Sequence, residues 1–266
     1  MREAARSTVA LYAGNRVLNV LMNDRARALF SHVALYLHYG GAGATSGLTV
    51  GALKDMCVTL GLCSRGRCET LLALMRGAGL FAAVATDDRR LRPLAPTDRL
   101  LALHRQRWGG HLRAMSCIRP DAERHRAALD DPAFVRSFVL ALGARFVAGW
   151  RLVDQVPALA SLIDRNAGVV ILLSLALAGP GDGAFPPTAP VPLSINALAN
   201  TFAVSRKHVL TLLRDAEALG LLARGGPAMS EISFLAPARE AIAQLFAAMF
   251  LYLLQAAEEA RGASGR

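Results

Sequence analysis

Two short sets of hydroxyl and basic side chains recur at matched spacing: Ser64, Arg65, Arg67 and Thr70, and later Ser205, Arg206, Lys207, Thr211 and Arg214. Each set opens on a serine, whose hydroxyl can accept from an orphan N–H at a helix start. Arg can hold guanine O6 and N7 with two hydrogen bonds, and Arg or Lys can neutralise a phosphate without reading sequence. The spacing leaves both roles open for every one of these residues. Lys207 and Lys54 are the only lysines in a chain that otherwise uses Arg for positive charge.

The elements that must position these groups follow from periodicity. After Ser205, the residues Val209, Leu212, Leu213 and Ala216 recur at helical spacing, and Gly220 stands where a helix stops. Upstream, Ser194 caps a shorter helix carrying Ile195, Leu198, Ala199 and Phe202, so two helices meet across a turn at Ala203-Val204. Downstream, a strand at Leu221-Leu222-Ala223, a turn at Arg224-Gly225-Gly226-Pro227 and a return over Glu231 to Leu235 make a small β-wing. Arg224 thus joins the basic candidates.

Through Leu198, Phe202, Val204-Ser205-Arg206, Val209, Leu212-Leu213, Glu217 and Gly220-Leu221 the chain resembles the winged helix-turn-helix superfamily of bacterial transcription regulators, the MarR-like members in particular. The resemblance implies a recognition helix whose N-terminal residues face base edges in the major groove of double-stranded DNA, with a wing and neighbouring helices on phosphates.

The pattern occurs twice. Ser64-Arg65, Leu71-Leu72 and Gly79-Leu80 precede Ser205-Arg206, Leu212-Leu213 and Gly220-Leu221 by one offset, 205 − 64 = 141, and Leu94-Ala95-Pro96 precedes Leu235-Ala236-Pro237 by the same step. Between Leu53 and Ser64 the first copy has four more residues than the second has between Leu198 and Ser205, which places a longer turn there. Its wing runs from Leu80 to Ala85 and back over Arg89 to Leu94, adding Arg89, Arg90 and Arg92 to the candidates. The expected fold is mostly α: tandem duplicated winged helix-turn-helix units with small β-wings, joined by long helices. Residues 1–118 are expected to hold the first unit and 119–266 the second, with the polar segment from Pro120 to Leu129 as the boundary. By resemblance this is a fused pseudo-dimer of a sequence-specific transcription regulator. Alternatives are a DNA-binding protein similar to plasmid replication initiators, which also join two winged helices, and an interaction scaffold that binds no DNA.

Thirty Lys and Arg against 20 Asp and Glu give a formal charge of +10. That excess suits a polyanionic partner, while a genome-wide preference for Arg codons would produce the same count. The N-terminus lacks the uninterrupted apolar region of a signal peptide, and the apolar stretches Ala167 to Ala178 and Ala241 to Ala257 are short or broken by Gln244 and Gln255. The expectation is a cytoplasmic protein, not a membrane one. The last helix, Pro237 to Ala260, is apolar on nearly all sides and must be enclosed by other helices or by a second copy in a homodimer.

Other chemistries find less in the sequence. No GxSxG, HExxH or GxxxxGK[ST] occurs, so no catalytic residue is assigned. Gly41, Gly43 and Gly47 spell a glycine-rich phosphate loop, but a helix precedes them where that motif needs a strand. Cys57, Cys63, Cys68 and Cys117 form no CxxC pair, and no metal or cofactor is expected. Two readings of these thiols compete: inert core residues, and an oxidant-sensing Cys63 with a lowered pKa beside Arg65 and Arg67 at a helix start. His104, Trp108, His111 and Met115 share one face of a long helix, and three readings compete for it: a packing seam, a pocket for a small aromatic effector completed by Phe146 and Trp150, and a metal site, for which two His seven apart need partners that the sequence does not show.

Overall fold

A computed structural model describes residues 1–41, 47–86, 92–181 and 183–264. In chain order the helices are α1 (Arg2–Tyr12), α2 (Arg16–Leu21), α3 (Arg25–His38), α4 (Val50–Thr59), α5 (Arg65–Gly77), α6 (Asp98–Ser116), α7 (Ala122–Ala128), α8 (Pro132–Val147), α9 (Leu152–Gln155), α10 (Ala160–Ile163), α11 (Gly168–Leu177), α12 (Ile195–Thr201), α13 (Arg206–Ala218) and α14 (Ala236–Ser264). Five short strands accompany them: β1 (Phe81–Ala83), β2 (Leu94–Pro96), β3 (Val191–Pro192), β4 (Leu222–Gly225) and β5 (Glu231–Phe234). The protein is mostly α-helical with small antiparallel sheets.

Short polar side chains set where many of these helices begin. Asn15, Thr49, Ser64, Thr97, Asp131, Ser194 and Ser205 each accept a backbone N–H from the first turn that follows. Helix α5 and helix α13 then end alike. Gly79 and Gly220 take φ of +70° and +66°, and the next residue reaches back five positions, Leu80 N–H to Met75 O and Leu221 N–H to Ala216 O, at 2.9 Å in both. The 141-residue offset therefore holds in cap geometry as well as in sequence.

The chain divides into two compact bodies, one of residues 26–150 and 251–266 and the other of 1–25 and 151–250. This departs from the division at 118/119 expected from the repeat. In the body holding α13, the N-terminal α1 packs on α11, Gly14 N–H donates to Thr201 O at 3.1 Å, and Ala167 N–H donates to Asn23 O at 2.8 Å. These interactions assign the first 25 residues to the second copy. In the other body, the segment Pro120 to Leu129, which reads in sequence as a short polar helix or linker at the boundary, forms the short helix α7, which packs along α6 with Ala122, His125 and Leu129 buried. Gly109, beside Gly110 at a point where two adjacent glycines could kink a helix, lies within the continuous α6, where a Cβ would meet Leu129 Cδ1 in ordinary contact at 3.7 Å.

Other boundaries move for local reasons. The apolar periodicity of Val9, Leu11, Val17, Leu18 and Leu21 reads in sequence as one helix over residues 7–21, but the chain breaks there at Gly14, whose φ is +72°. Pro96 suits the first turn of a helix and reads in sequence as the start of α6, but α6 begins after the cap Thr97, because Pro96 is the last residue of β2 and pairs with Phe81. The helix from Pro132 ends at Val147, short of Gln155, with Gly149 at φ +102° just beyond. Helix α14 buries Ala238, Ala241, Ile242, Leu245 and Phe246 in one body and Leu253, Ala256, Ala257 and Ala260 in the other, while Leu251 is 55% exposed. It is therefore not enclosed on every side. It has the length and hydropathy of a membrane span, with 44% of its most apolar window buried.

The core of residues 26–150 carries buried histidines. His104 is fully buried, with Nε2 3.0 Å from Ser31 Oγ, and burial holds its pKa well below 6.5, with His32 as a second cause. Burial, with the nearby Arg107 charge, lowers His111 to about 3. Both are neutral when folded, and both take a proton below about pH 6.5 once unfolded. The stability they contribute is full above that pH and lost as pH falls, at about 1.4 kcal/mol per pH unit for each. Denaturant titrations at neutral pH and near pH 5 are expected to show this loss, and the His104→Gln variant a shallower one.

Close helix packing yields a second expectation. Gly143 of α8 faces Tyr36 of α3 so tightly that an added Cβ would lie 2.8 Å from Tyr36 Cβ, and nearer still to its ring. Gly143→Ala should cost about 1–3 kcal/mol by overpacking, read as a lower denaturation midpoint.

Candidate nucleic-acid interface

Helix α13 is held by a buried stripe of Val209, Leu212, Leu213 and Ala216, which turns its opposite face outward. Ser205 Oγ accepts His208 N–H at 3.1 Å, closing the first turn. Arg206, Lys207 and Arg214 are exposed, and Arg206 and Lys207 enter no ion pair among the described residues. Thr211 is half-buried and its hydroxyl donates to Lys207 O at 3.0 Å. His208 turns inward, its Nε2 lying 2.7 Å from Asn166 O, and Arg165 pairs with Asp215 at 2.5 Å. These two interactions tie α13 to the segment before α11. The helix is thus anchored along one side and presents cations from its N-terminal turn.

Arg224 stands apart from the other candidates. Its N–H donates to Glu217 Oε1 at 2.9 Å and its Nε to Oε2 at 2.8 Å, and its side chain is only 18% exposed. The guanidinium hydrogen bond is the main reason Glu217 titrates below the usual carboxylate range. Arg224 therefore clamps β4 onto the last turn of α13. The sheet beside it has the order β3-β5-β4, with Leu222 opposite Phe234 and Val191 opposite Ile232. Strand β3 lies in what reads in sequence as a Pro-rich loop.

Helix α5 repeats the arrangement with different partners. Leu71, Leu72 and Met75 are buried, and Ser64 Oγ accepts Arg67 N–H at 3.4 Å. Arg67 and Thr70 are exposed, and the Thr70 hydroxyl donates to Gly66 O at 3.1 Å. Arg65 pairs with Asp55 across the turn, both side chains 60% exposed, and Lys54 pairs with Glu69. The Arg65–Asp55 pair, exposed on both sides, is worth little, whereas the Lys54 side chain is largely covered. Arg92 is exposed and, with Val50, Glu69, Leu72, Arg76 and Val84, lines an open groove of about 450 Å³ between α5 and the β1–β2 hairpin. Arg76 joins this groove from the end of α5, a position that carries no motif in the sequence. Arg89 and Arg90 lie outside the described residues.

The copies differ in their turns and hairpins. Of the four extra residues in the first copy, three lengthen α4 beyond α12 and one lies in the turn, so the expected longer turn is mostly helix. Both turns pass through a left-handed residue, Gly61 and Ala203, at φ +66° and +53°. In the hairpins Phe81 faces Pro96 while Leu222 faces Phe234, so the match of Leu94-Ala95-Pro96 to Leu235-Ala236-Pro237 is three residues out of structural register.

The aromatic residues are occupied with one another. Trp108 is buried with its ring 5.1 Å from His104 and 5.3 Å from Phe138, and His111 and Phe146 are buried. Trp150 instead stacks on Tyr252 at 4.2 Å, and the Tyr252 hydroxyl donates to Leu142 O at 2.6 Å. The two tryptophans thus belong to separate ring clusters.

The division between clamp and free cation is measurable. Arg224→Ala should lower the melting temperature, because it leaves Glu217 without its partner. Arg206→Ala and Lys207→Ala should leave stability within about 0.5 kcal/mol of wild type, as surface substitutions do.

No protein-family model matches the chain, and no curated protein or solved structure matches it, which leaves the arrangement of its own side chains as the ground for a functional reading.

Proposed function

We propose that the protein is a DNA-binding regulator of transcription built on two winged helices in one chain, with α5 and α13 as recognition helices. The observation that carries the reading is the agreement of two non-identical copies on one presentation: a serine-capped helix of 13 residues, an apolar stripe buried beneath it, exposed cations on its first turn, a left-handed glycine after it and an antiparallel hairpin beyond. An unselected surface has no reason to keep cations at the same turn twice.

In this reading Arg206, Lys207 and Arg214 meet DNA from one head, and Arg65, Arg67 and Arg92 from the other, while Arg224 holds the second wing in place. The heads carry different residues, so the preferred site is two unlike half-sites in place of a palindrome. No small aromatic effector is called on in this reading; Trp108 packs edge-on against Phe138, and Trp150 stacks on Tyr252.

The test is binding to a pool of random duplexes at several salt concentrations. Arg206→Ala with Lys207→Ala should weaken binding and reduce the slope of log K against log salt by about 0.9 for each phosphate no longer neutralised. Arg65→Ala with Arg67→Ala should do the same from the other head. Unchanged affinity and slope in both double variants would move the chain to the class of interaction scaffolds.

A further inference from the structure

The two copies differ most sharply in sulfur. Counting from the helix caps Ser64 and Ser205, the residue just before the cap is Cys63 in one copy and Val204 in the other, and the fourth helical residue is Cys68 in one and Val209 in the other. These are the two positions that touch in a hydrophobic staple, where they fix the angle at which the chain enters the helix. Burial matches pair by pair: Cys68 and Val209 are fully buried, and Cys63 and Val204 are both half-buried. A single cysteine here would pass as a small apolar residue. Both members of the staple have become cysteine together, and a third thiol, Cys57 on the last turns of α4, is buried beside them.

The thiols interact. The neighbouring Cys68 sulfur and burial raise the Cys57 pKa, while Cys57 and the Lys54 ammonium lower that of Cys68 against the opposing effect of burial. Burial raises Cys63, which corrects the expectation of a lowered pKa there: the Arg67 charge is a smaller influence than desolvation and the neighbouring sulfur. Cys57 and Cys68 are buried, and Cys63 is the one of the three sulfurs that reaches solvent. No group of three His, Cys, Asp or Glu among the described residues has the geometry to hold a metal ion.

We propose that Cys63 and Cys68 form a reversible disulfide, a covalent form of the apolar staple whose two positions Val204 and Val209 occupy in the other copy. With a small-molecule disulfide as oxidant, the Cys63 thiolate attacks one sulfur, forming a mixed disulfide and releasing one thiolate of the reagent. The Cys68 thiolate then attacks Cys63 Sγ, forming the Cys63–Cys68 bond and releasing the second. Two protein thiols are oxidised, and one reagent disulfide is reduced to two thiols. The bond pins the turn to the helix that bears Arg65 and Arg67. The proposal does not depend on DNA binding, since its readout is the bond itself.

The experiment equilibrates the full chain with glutathione and glutathione disulfide, folded and in guanidinium, and maps the bonds by mass spectrometry after alkylation. Trypsin separates Cys68 from the peptide holding Cys57 and Cys63, and Cys57→Ala removes the ambiguity between those two. The expected result is a Cys63–Cys68 link that persists in Cys57→Ala, is reversed by dithiothreitol, and forms with an equilibrium constant about tenfold or more larger in the folded than in the unfolded chain, because a bond that fits the fold is favoured by it. The Cys63→Val/Cys68→Val variant, which copies the other unit, should fold with the melting temperature of the reduced protein and form no link. A lasting glutathione adduct on Cys63, a link only through Cys57, or an equilibrium constant no larger in the folded chain would each overturn the proposal.

Discussion

Everything at the candidate interface depends on burying one apolar stripe on each of two 13-residue helices. Leu71, Leu72 and Met75 on α5, and Val209, Leu212, Leu213 and Ala216 on α13, leave only one rotation about each helix axis that keeps them from water. At about 25 cal/mol per Å² of apolar surface, a slip of about 100° would expose several side chains at a cost of several kcal/mol. That rotation alone carries Arg65 and Arg67, or Arg206 and Lys207, to the outside. The caps then fix the ends, with serine satisfying an N–H at one and left-handed glycine turning the chain into its hairpin at the other.

Charge is sorted by what surrounds it. On the second copy Arg224 and Glu217 are shielded and hydrogen-bonded through two donors, a geometry that fastens strand to helix, whereas Arg206 and Lys207 stand in water with no ion-pair partner among the described residues. On the first copy Arg65 and Lys54 have carboxylate partners, but Arg65–Asp55 is exposed on both sides and is a weak tie. The two recognition surfaces would therefore differ in the cost of releasing their cations. This difference adds to the difference in residue type, and both favour unlike half-sites under the proposed function.

The remainder of each body supports these helices by dense, partly polar packing. Ser31, His104 and Trp108 form a buried series that is stable only with neutral imidazoles, and Gly143 permits the approach of α8 to Tyr36. In the other body, α1 on α11 and the Asn166 and Asp215 interactions brace α13 from behind.

The features legible in the amino-acid order are those that a window of a few residues encodes. Ser64, Ser194 and Ser205 as caps, Gly79 and Gly220 as stops, the apolar stripes between them and the 141-residue repeat all belong here, since each depends on local hydrogen bonding or periodicity. Which side chains are already engaged emerges only when the chain is folded. Arg224 and Arg206 are the same residue type near the same helix, and nothing local says that Glu217 reaches one and not the other. The strand Val191–Pro192 and the assignment of residues 1–25 to the second copy depend on segments brought together across long separations, whereas the docking of α7 and the three-sulfur cluster depend on how neighbouring elements pack. A chain's own propensities are additive along it, whereas burial and pairing belong to the neighbours that folding supplies.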